Sequence, residues 1–387
     1  MSSRVPCQPA AGPGACAVRR TASRTSRSCW RLRCAWPPAT GPCVWTAQQL
    51  GACPDSWRGT LSTAELRELE AAAASVEAQP LHSVDAVRFS GPLGERLRSI
   101  RGALYHGRGV SLLRGLPVGD WSPARCAATF WLLGAALGSP VPQNRAGQLL
   151  GHVKDVGADA ARPETRLYQT AVAQPFHTDS CDVVGLLCLQ TALSGGQSQV
   201  VSSSAVFNTL LARSPHLARV LTEPFHNDRK GEVPPGKQQT FQMPVFMRNP
   251  ANTRWLSMYD RSFINAAHAR WQHLPPMTES QLEALDAADA IADELRLDMS
   301  LQPGDMQWLH NHQIWHARSA FSDGGEERSR RHLLRLWLAA PPEDAWDLPA
   351  VFAERYGTIE RDAVPPRGGI RCEGAQLCAP LTAERVM

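Results

Sequence analysis

Lysine is almost missing from this chain of 387 residues, with 3 positions against 37 arginines. The skew reads as arginine-favouring, GC-rich coding rather than as a surface built to bind phosphate. Long apolar runs are also missing. No stretch approaches the roughly 20 apolar residues that a membrane-spanning helix requires, so no membrane anchor is expected. Acidic residues are absent from positions 1–40, which hold seven arginines; the net charge of +4 is therefore +7 there and −3 over the rest. That acidic remainder lacks the basic footprint of a nucleic-acid-binding protein. There is no CxxC pair, no zinc-like cysteine spacing and no internal repeat. Six of the eleven cysteines (Cys7, Cys16, Cys29, Cys34, Cys43 and Cys53) fall in the first 53 residues. A large domain needs no disulfide framework, and Cys181 and Cys188 read as small core residues.

The acid-free start fits a transit peptide, a basic interaction arm or a disordered extension, of which the last is preferred. It has no apolar segment of the secretory kind. The expected organisation is a basic extension over 1–40 and a single domain over 41–387. A cytoplasmic location follows, or an organelle if the extension is a transit peptide.

A hydrophobic content of 43% and a charged content of 20% are those of a globular chain. Ser62 and Glu65 form a capping box that opens a helix before Leu66 and Leu69. Residues 110–114 suit a strand and 121–137 a helix. Residues 140–144 read as a loop, with short strands following through Tyr168, Gln169 and Thr170. The apolar run 181–191 reads as a buried strand, and Ser202 to Ser204 open another helix. Residues 241–247 and 255–259 predict a hairpin. Thr278 and Gln281 cap a helix running to about Leu295. The turn Pro303-Gly304-Asp305 separates two further strands. Leu333, Arg335 and Trp337 share one face of a strand. Many short strands with a few helices predict an α+β fold with a mainly β core. The expected form is a double-stranded β-helix, a cupin-like jelly roll with flanking helices.

Within this pattern stands His177-Thr178-Asp179, followed much later by His316, Arg331 and Arg335. Residues two apart on a strand point to one side, so His177 and Asp179 can grip one ion. Two imidazoles and one carboxylate are the ligands of the facial triad that binds ferrous iron and leaves positions open. An arginine further on can hold a co-substrate carboxylate through its planar fork. The same three ligands also suit a zinc hydrolase or a non-catalytic metal sensor.

The residues around the triad carry a family resemblance. Gln174-Pro175-Phe176 before the triad, Leu193-Ser194-Gly195-Gly196-Gln197-Ser198, Pro303-Gly304-Asp305-Met306, Asn311, His316-Ala317-Arg318 and residues 331–338 occur in order. From about Gly41 to Pro341 the chain resembles the taurine dioxygenase and clavaminate synthase-like family of Fe(II)/2-oxoglutarate-dependent dioxygenases. The resemblance implies iron held by His177, Asp179 and His316, and 2-oxoglutarate as co-substrate. It selects His316 over His310 and His312, which are expected at the surface or behind the ligands. It also implies that Ser198 and Arg331 lie near the co-substrate, with Arg335 anchoring its far carboxylate. The implied partners are a small-molecule substrate and O2, with neither nucleic acid nor membrane, and a homo-oligomer left open. Hydroxylation of a C–H bond with release of succinate and CO2 is the expected reaction. Tyr168, Gln169, Thr170 and Asn144 are expected near a substrate pocket, and Arg318 and Arg261 as anion binders or structural residues.

Overall fold

The structure, a computed structural model, describes residues 36–76, 89–144, 147–163, 165–233, 236–249, 254–325 and 330–356. Backbone contacts divide the chain into Met1–Pro37 and Pro38–Met387, and all the described helices and strands belong to the second unit. The bulk of the basic extension lies outside the described residues.

Helices α1 (Ala47–Ala52), α2 (Thr63–Val76), α3 (Pro92–Tyr105) and α4 (Pro123–Leu137) come early, with strands β1 (Arg58–Thr60) and β2 (Val110–Arg114) among them. Strands β3 (Ser139–Pro140), β4 (Leu150–Val153), β5 (Gln174–His177), β6 (Val183–Gln190), β7 (Ser194–Gly195) and β8 (Ser198–Ser202) lead into helices α5 (Ser203–Arg213) and α6 (Pro215–Val220). Then come β9 (Pro224–Asp228), β10 (Thr240–Pro244), β11 (Phe246–Arg248), β12 (Trp255–Ser257), α7 (Arg261–Arg270) and α8 (Glu279–Leu295). The last elements are β13 (Leu297–Met299), β14 (Met306–His310), β15 (Ile314–Arg318), β16 (Phe321–Ser322), β17 (His332–Ala339) and α9 (Ala353–Tyr356).

Two sheets face each other. The larger runs β1-β2-β14-β6-β17-β3, with β4 also on β17; the smaller runs β13-β8-β15-β5. Apart from the parallel β1–β2 pair, the pairings in both are antiparallel. Strand periodicity explains how both faces are filled. Along β17, Leu334, Leu336 and Leu338 turn outward to pack with Leu97, Phe130 and Leu133 of α3 and α4. Leu333 and Trp337 turn inward to meet Val200 and Ile314 of the opposite sheet. On β15, Trp315 and Ala317 pack outward with Phe207 of α5 and Leu285 of α8. Both sheets are thus covered by helices, and the space between them is left for Arg335 and His316. This is the expected jelly roll with flanking helices.

Local signals placed several elements well. The Ser62–Glu65 capping box forms in both directions, the Thr278–Gln281 box opens α8, and Ser202 caps α5. Others fell to tertiary context. Tyr168 and Gln169 lie in a 3-10 turn rather than a strand. Ser139–Pro140 pairs with β17, so the loop begins one residue later. The expected hairpin is split: β11 does pair with β12, but Phe241 belongs to β10, which pairs with the unforeseen β9. Of the two places expected for His310 and His312, the surface is excluded, since both are fully buried.

Packing also reaches slightly before Gly41. The Ala39 amide donates to Asn208 Oδ1 (2.7 Å) and its carbonyl accepts from Asn208 Nδ2 (2.9 Å). A chain beginning at Pro38 should therefore melt with the full-length protein, whereas one beginning at Gly41 loses two hydrogen bonds worth about 1 kcal/mol each and melts lower. Equal melting of the two truncations in calorimetry would show that the Ala39 contact contributes nothing.

Candidate metal centre and its flanking cavities

Antiparallel pairing of β5 with β15 sets His177 directly opposite His316, and a bulge follows between His316 and Arg318. The two imidazole rings stand 4.1 Å apart between centroids. Asp179 lies just beyond the end of β5, so it reaches the same point from a short loop rather than from the strand. Its amide donates to Asn311 Oδ1 (3.1 Å), which ties that loop to the β14–β15 turn. His177, Asp179 and His316 each turn one ligand atom to a common point, all within 4.8 Å of one another. His316 Nε2 is 3.7 Å from Asp179 Oδ2, too long for a hydrogen bond and open enough for an ion between them.

Protonation favours metal binding. A carbonyl only accepts, so Pro175 O, 2.9 Å from His177 Nδ1, places the proton there and leaves Nε2 with its lone pair. The Gln174 amide nitrogen, 3.0 Å from that Nε2, occupies the coordination side in this state. Burial, helped by nearby His316, pushes the His177 imidazole down to about 4, so it is neutral at physiological pH. Burial would push the Asp179 carboxyl up, but the Arg335 guanidinium and the two imidazoles overcome it and hold the acid well below the usual carboxylate range. A neutral imidazole at His177, the His316 imidazole beside it and one ionised carboxylate are a donor set that fits Fe(II).

Two cavities flank this point and share Tyr168, Gln174, His177, Asp179 and Arg335. The first adds Ser198, His316, Arg318 and Arg331. The second adds Arg166, Lys230, Asp260 and Phe263. The residues expected to hold metal and co-substrate, His177, Asp179, Ser198, His316, Arg331 and Arg335, therefore all line the first cavity.

Their situations differ. Arg335 Nη1 lies 3.7 Å from Asp179 Oδ1, while its Nε donates to Gln143 Oε1 (2.7 Å). Gln143 in turn donates to the carbonyls of Leu149 and Arg335 at 2.7 Å each, which locks the guanidinium beside the ligands. Arg331 is buried, and its Nη1 has no hydrogen-bond partner. Arg318 donates to the Thr170 (2.9 Å) and Val172 carbonyls, yet its Nε and Nη1 are likewise buried without partners. Burial pulls each of these two guanidiniums down to about 10, and for Arg318 the Arg331 charge adds to the effect. Both remain cationic at neutral pH. Ser198 Oγ donates to Gln307 Oε1 (2.6 Å), so reaching a carboxylate requires that hydrogen to be re-aimed. Gly196, at φ +73°, lets the backbone pass so close that a Cβ would lie 2.9 Å from Arg331 Nε.

Of the other expectations, Tyr168 lines both cavities and Thr170 supports Arg318. Asn144 bonds Gln148 instead, and Arg261 is engaged by Asp286 and Asp289. Sequence reasoning gave no role to Gln143, Arg166 or Lys230. No motif marks them, because each reaches the site from a loop.

Comparison with known proteins places this geometry in context. Residues 71–337 match the family model described as taurine catabolism dioxygenase TauD, TfdA family. The chain is 32% identical over 309 residues to FR-33289 synthase of Streptomyces rubellomurinus, covering 78% of this chain and 90% of that one. It is 30% identical over 323 residues to the taurine hydroxylase-like protein SAT17 of Stachybotrys chartarum, covering 79% and 80%. Among solved structures, an asparagine oxygenase in complex with Fe(II), hydroxyasparagine and succinate superposes with a TM-score of 0.54 at 18% identity, over 76% of this chain and 99% of that one. The non-haem iron oxygenase OrfP superposes at 0.57 and 17% identity, over 77% and 98%. These two likenesses establish the fold.

Proposed function

Because the chain belongs to the TauD/TfdA family of Fe(II)- and 2-oxoglutarate-dependent dioxygenases, we propose that His177, Asp179 and His316 hold the iron and that the two flanking cavities divide co-substrate from substrate. The observation that carries this reading is the position of the triad at the junction of the two cavities, the first containing two buried guanidiniums with unpartnered nitrogens. A buried charge without a counter-charge costs several kcal/mol, so that cavity calls for an anion. The far carboxylate of 2-oxoglutarate supplies it, on Arg331 with Ser198 and Arg318 alongside. The family resemblance gives this role to Arg335 instead. The Arg335 guanidinium is held through Nε by Gln143 with Nη1 3.7 Å from Asp179, which suits it to the end of the co-substrate nearest the metal.

When bound, iron and 2-oxoglutarate supply the reduction of O2, in which 2-oxoglutarate gives up two electrons on becoming succinate and CO2 and the substrate C–H bond gives up the other two. The chain's own residues orient and exclude. Gln143 fixes Arg335, Asn311 fixes the Asp179 loop, and the hydrogen bond from His177 to Pro175 fixes the imidazole tautomer. The second cavity holds a small-molecule substrate with a C–H bond toward the metal, and hydroxylation is the default product.

Succinate release by the purified protein should require both Fe(II) and 2-oxoglutarate, run slowly alone and accelerate when a metabolite panel reaches its substrate. Turnover with zinc in place of iron would support hydrolysis by the same ligands and reject the oxidative reading. No described helix is long and apolar enough to cross a membrane.

A further inference from the structure

The second cavity contains two cations that iron and co-substrate leave unused. Arg166 sits just before the 3-10 turn Leu167–Gln169 and Lys230 just after β9, so only the fold brings them together. Both face the Phe263 ring, with the Arg166 guanidinium carbon 5.5 Å and the Lys230 ammonium 5.2 Å from its centroid. Lys230 has a φ of 49°, the only positive value for a non-glycine residue among those described. That left-handed conformation is strained for a residue with a Cβ. Its amide donates to the Asp228 carboxylate, which holds the turn.

The nearby acids are already engaged. Glu232 pairs with Arg166 at 3.3 Å. Asp228 accepts from Arg270 (3.1 Å) and from the Trp271 indole (2.7 Å). Asp260 caps α7, accepting from the amides of Ser262 and Phe263 and from the Ser262 hydroxyl. Asp179 faces the metal position. The Lys230 ammonium makes no hydrogen bond or ion pair with any described residue. Burial pushes its amine down, as expected of a charge that lacks a close partner.

We infer that Arg166 and Lys230 form an oxyanion subsite for the molecule to be oxidised, which therefore carries a carboxylate, sulfonate or phosphonate group. This inference rests on the reading of the second cavity as the substrate side. The guanidinium presents a planar fork to two oxygens, and the ammonium adds a point charge from a second direction. Held there, the anion fixes which neighbouring carbon faces His177 and Asp179.

The test titrates the anaerobic Fe(II) protein, saturated with 2-oxoglutarate so that the first cavity is filled. Methylphosphonate, methanesulfonate and acetate are the probes, acetamide is the uncharged control, and binding is followed by calorimetry. The wild type should bind at least one of the anions and not acetamide, and the tightest of the three names the class of head group. Lys230→Met, which keeps length and removes charge, should weaken that binding tenfold or more, whereas Lys230→Arg restores most of it. The melting temperature of each variant reports that it folds. Undiminished anion binding in Lys230→Met, or acetamide binding as well as acetate, overturns the subsite. Absence of the visible iron–2-oxoglutarate band in the wild type would instead overturn the metal centre, while the heats of anion binding still decide the subsite.

Discussion

His316→Ala should abolish the visible absorption that 2-oxoglutarate gives on chelating iron, and with it succinate release. Changing a residue that merely supports a ligand lowers metal affinity roughly 10–100-fold, so removing a ligand should exceed that. The contrast with the neighbouring histidines makes the prediction sharp. His312 Nε2 lies 2.8 Å from Asp182 Oδ1, and Asp182 Oδ2 accepts from the Ala340 amide at 2.8 Å. His310 packs edge-on to Tyr105 and against Trp346. Both brace the turn between β14 and β15, and neither lines the cavities at the triad. His312→Ala removes one hydrogen-bond partner of a buried carboxylate, which costs about 1–3 kcal/mol. It should lower the melting temperature while the folded protein keeps its absorption band. His316→Ala should do the reverse, with a large loss of the band and a modest change in melting. A band that survives in His316→Ala and vanishes in His312→Ala would mean that Asp182 and His312 belong to the metal site.

The contrast also marks what a sequence can carry. Capping boxes, the strand alternation of β17 and the HxD spacing are local, and the residues that form them lie within a few positions of one another. They located α2, α8 and two metal-binding candidates, His177 and Asp179, without a fold, whereas His316 came from the family resemblance. The burial of His310 and His312 is not local. It depends on Tyr105 from α3 and on Trp346 after β17, which come from opposite ends of the domain. The pairing of Phe241 with β9 was hidden for the same reason, because β9 has the mixed pattern Pro-Phe-His-Asn-Asp and becomes a strand only beside β10. Gln143 shows the limit within the site itself. In sequence it is an unremarked loop amide; in the fold its side chain is spent on Arg335 and its surroundings.

Arg331→Met should weaken 2-oxoglutarate binding about 10–150-fold, the equivalent of a lost charge-assisted hydrogen bond of roughly 1.5–3 kcal/mol. Affinity alone does not prove contact, since any damage to the pocket lowers it. A co-substrate that lacks the far carboxylate separates the two cases. In the wild type, 2-oxobutyrate should bind more weakly than 2-oxoglutarate by about the factor that Arg331→Met costs. In Arg331→Met the two compounds should bind nearly alike, because the group that told them apart is gone. The interaction energy read from this cycle belongs to the arginine–carboxylate pair and cancels general damage. Arg335→Met serves as the comparison. Removing its charge unmoors Gln143 and takes a cation from beside Asp179, so both compounds should suffer together and the preference between them should persist. The opposite outcome, with discrimination lost in Arg335→Met and kept in Arg331→Met, would return the anchor to Arg335. Arg331 would then be left as a buried cation packed beside Gly196 and Phe321.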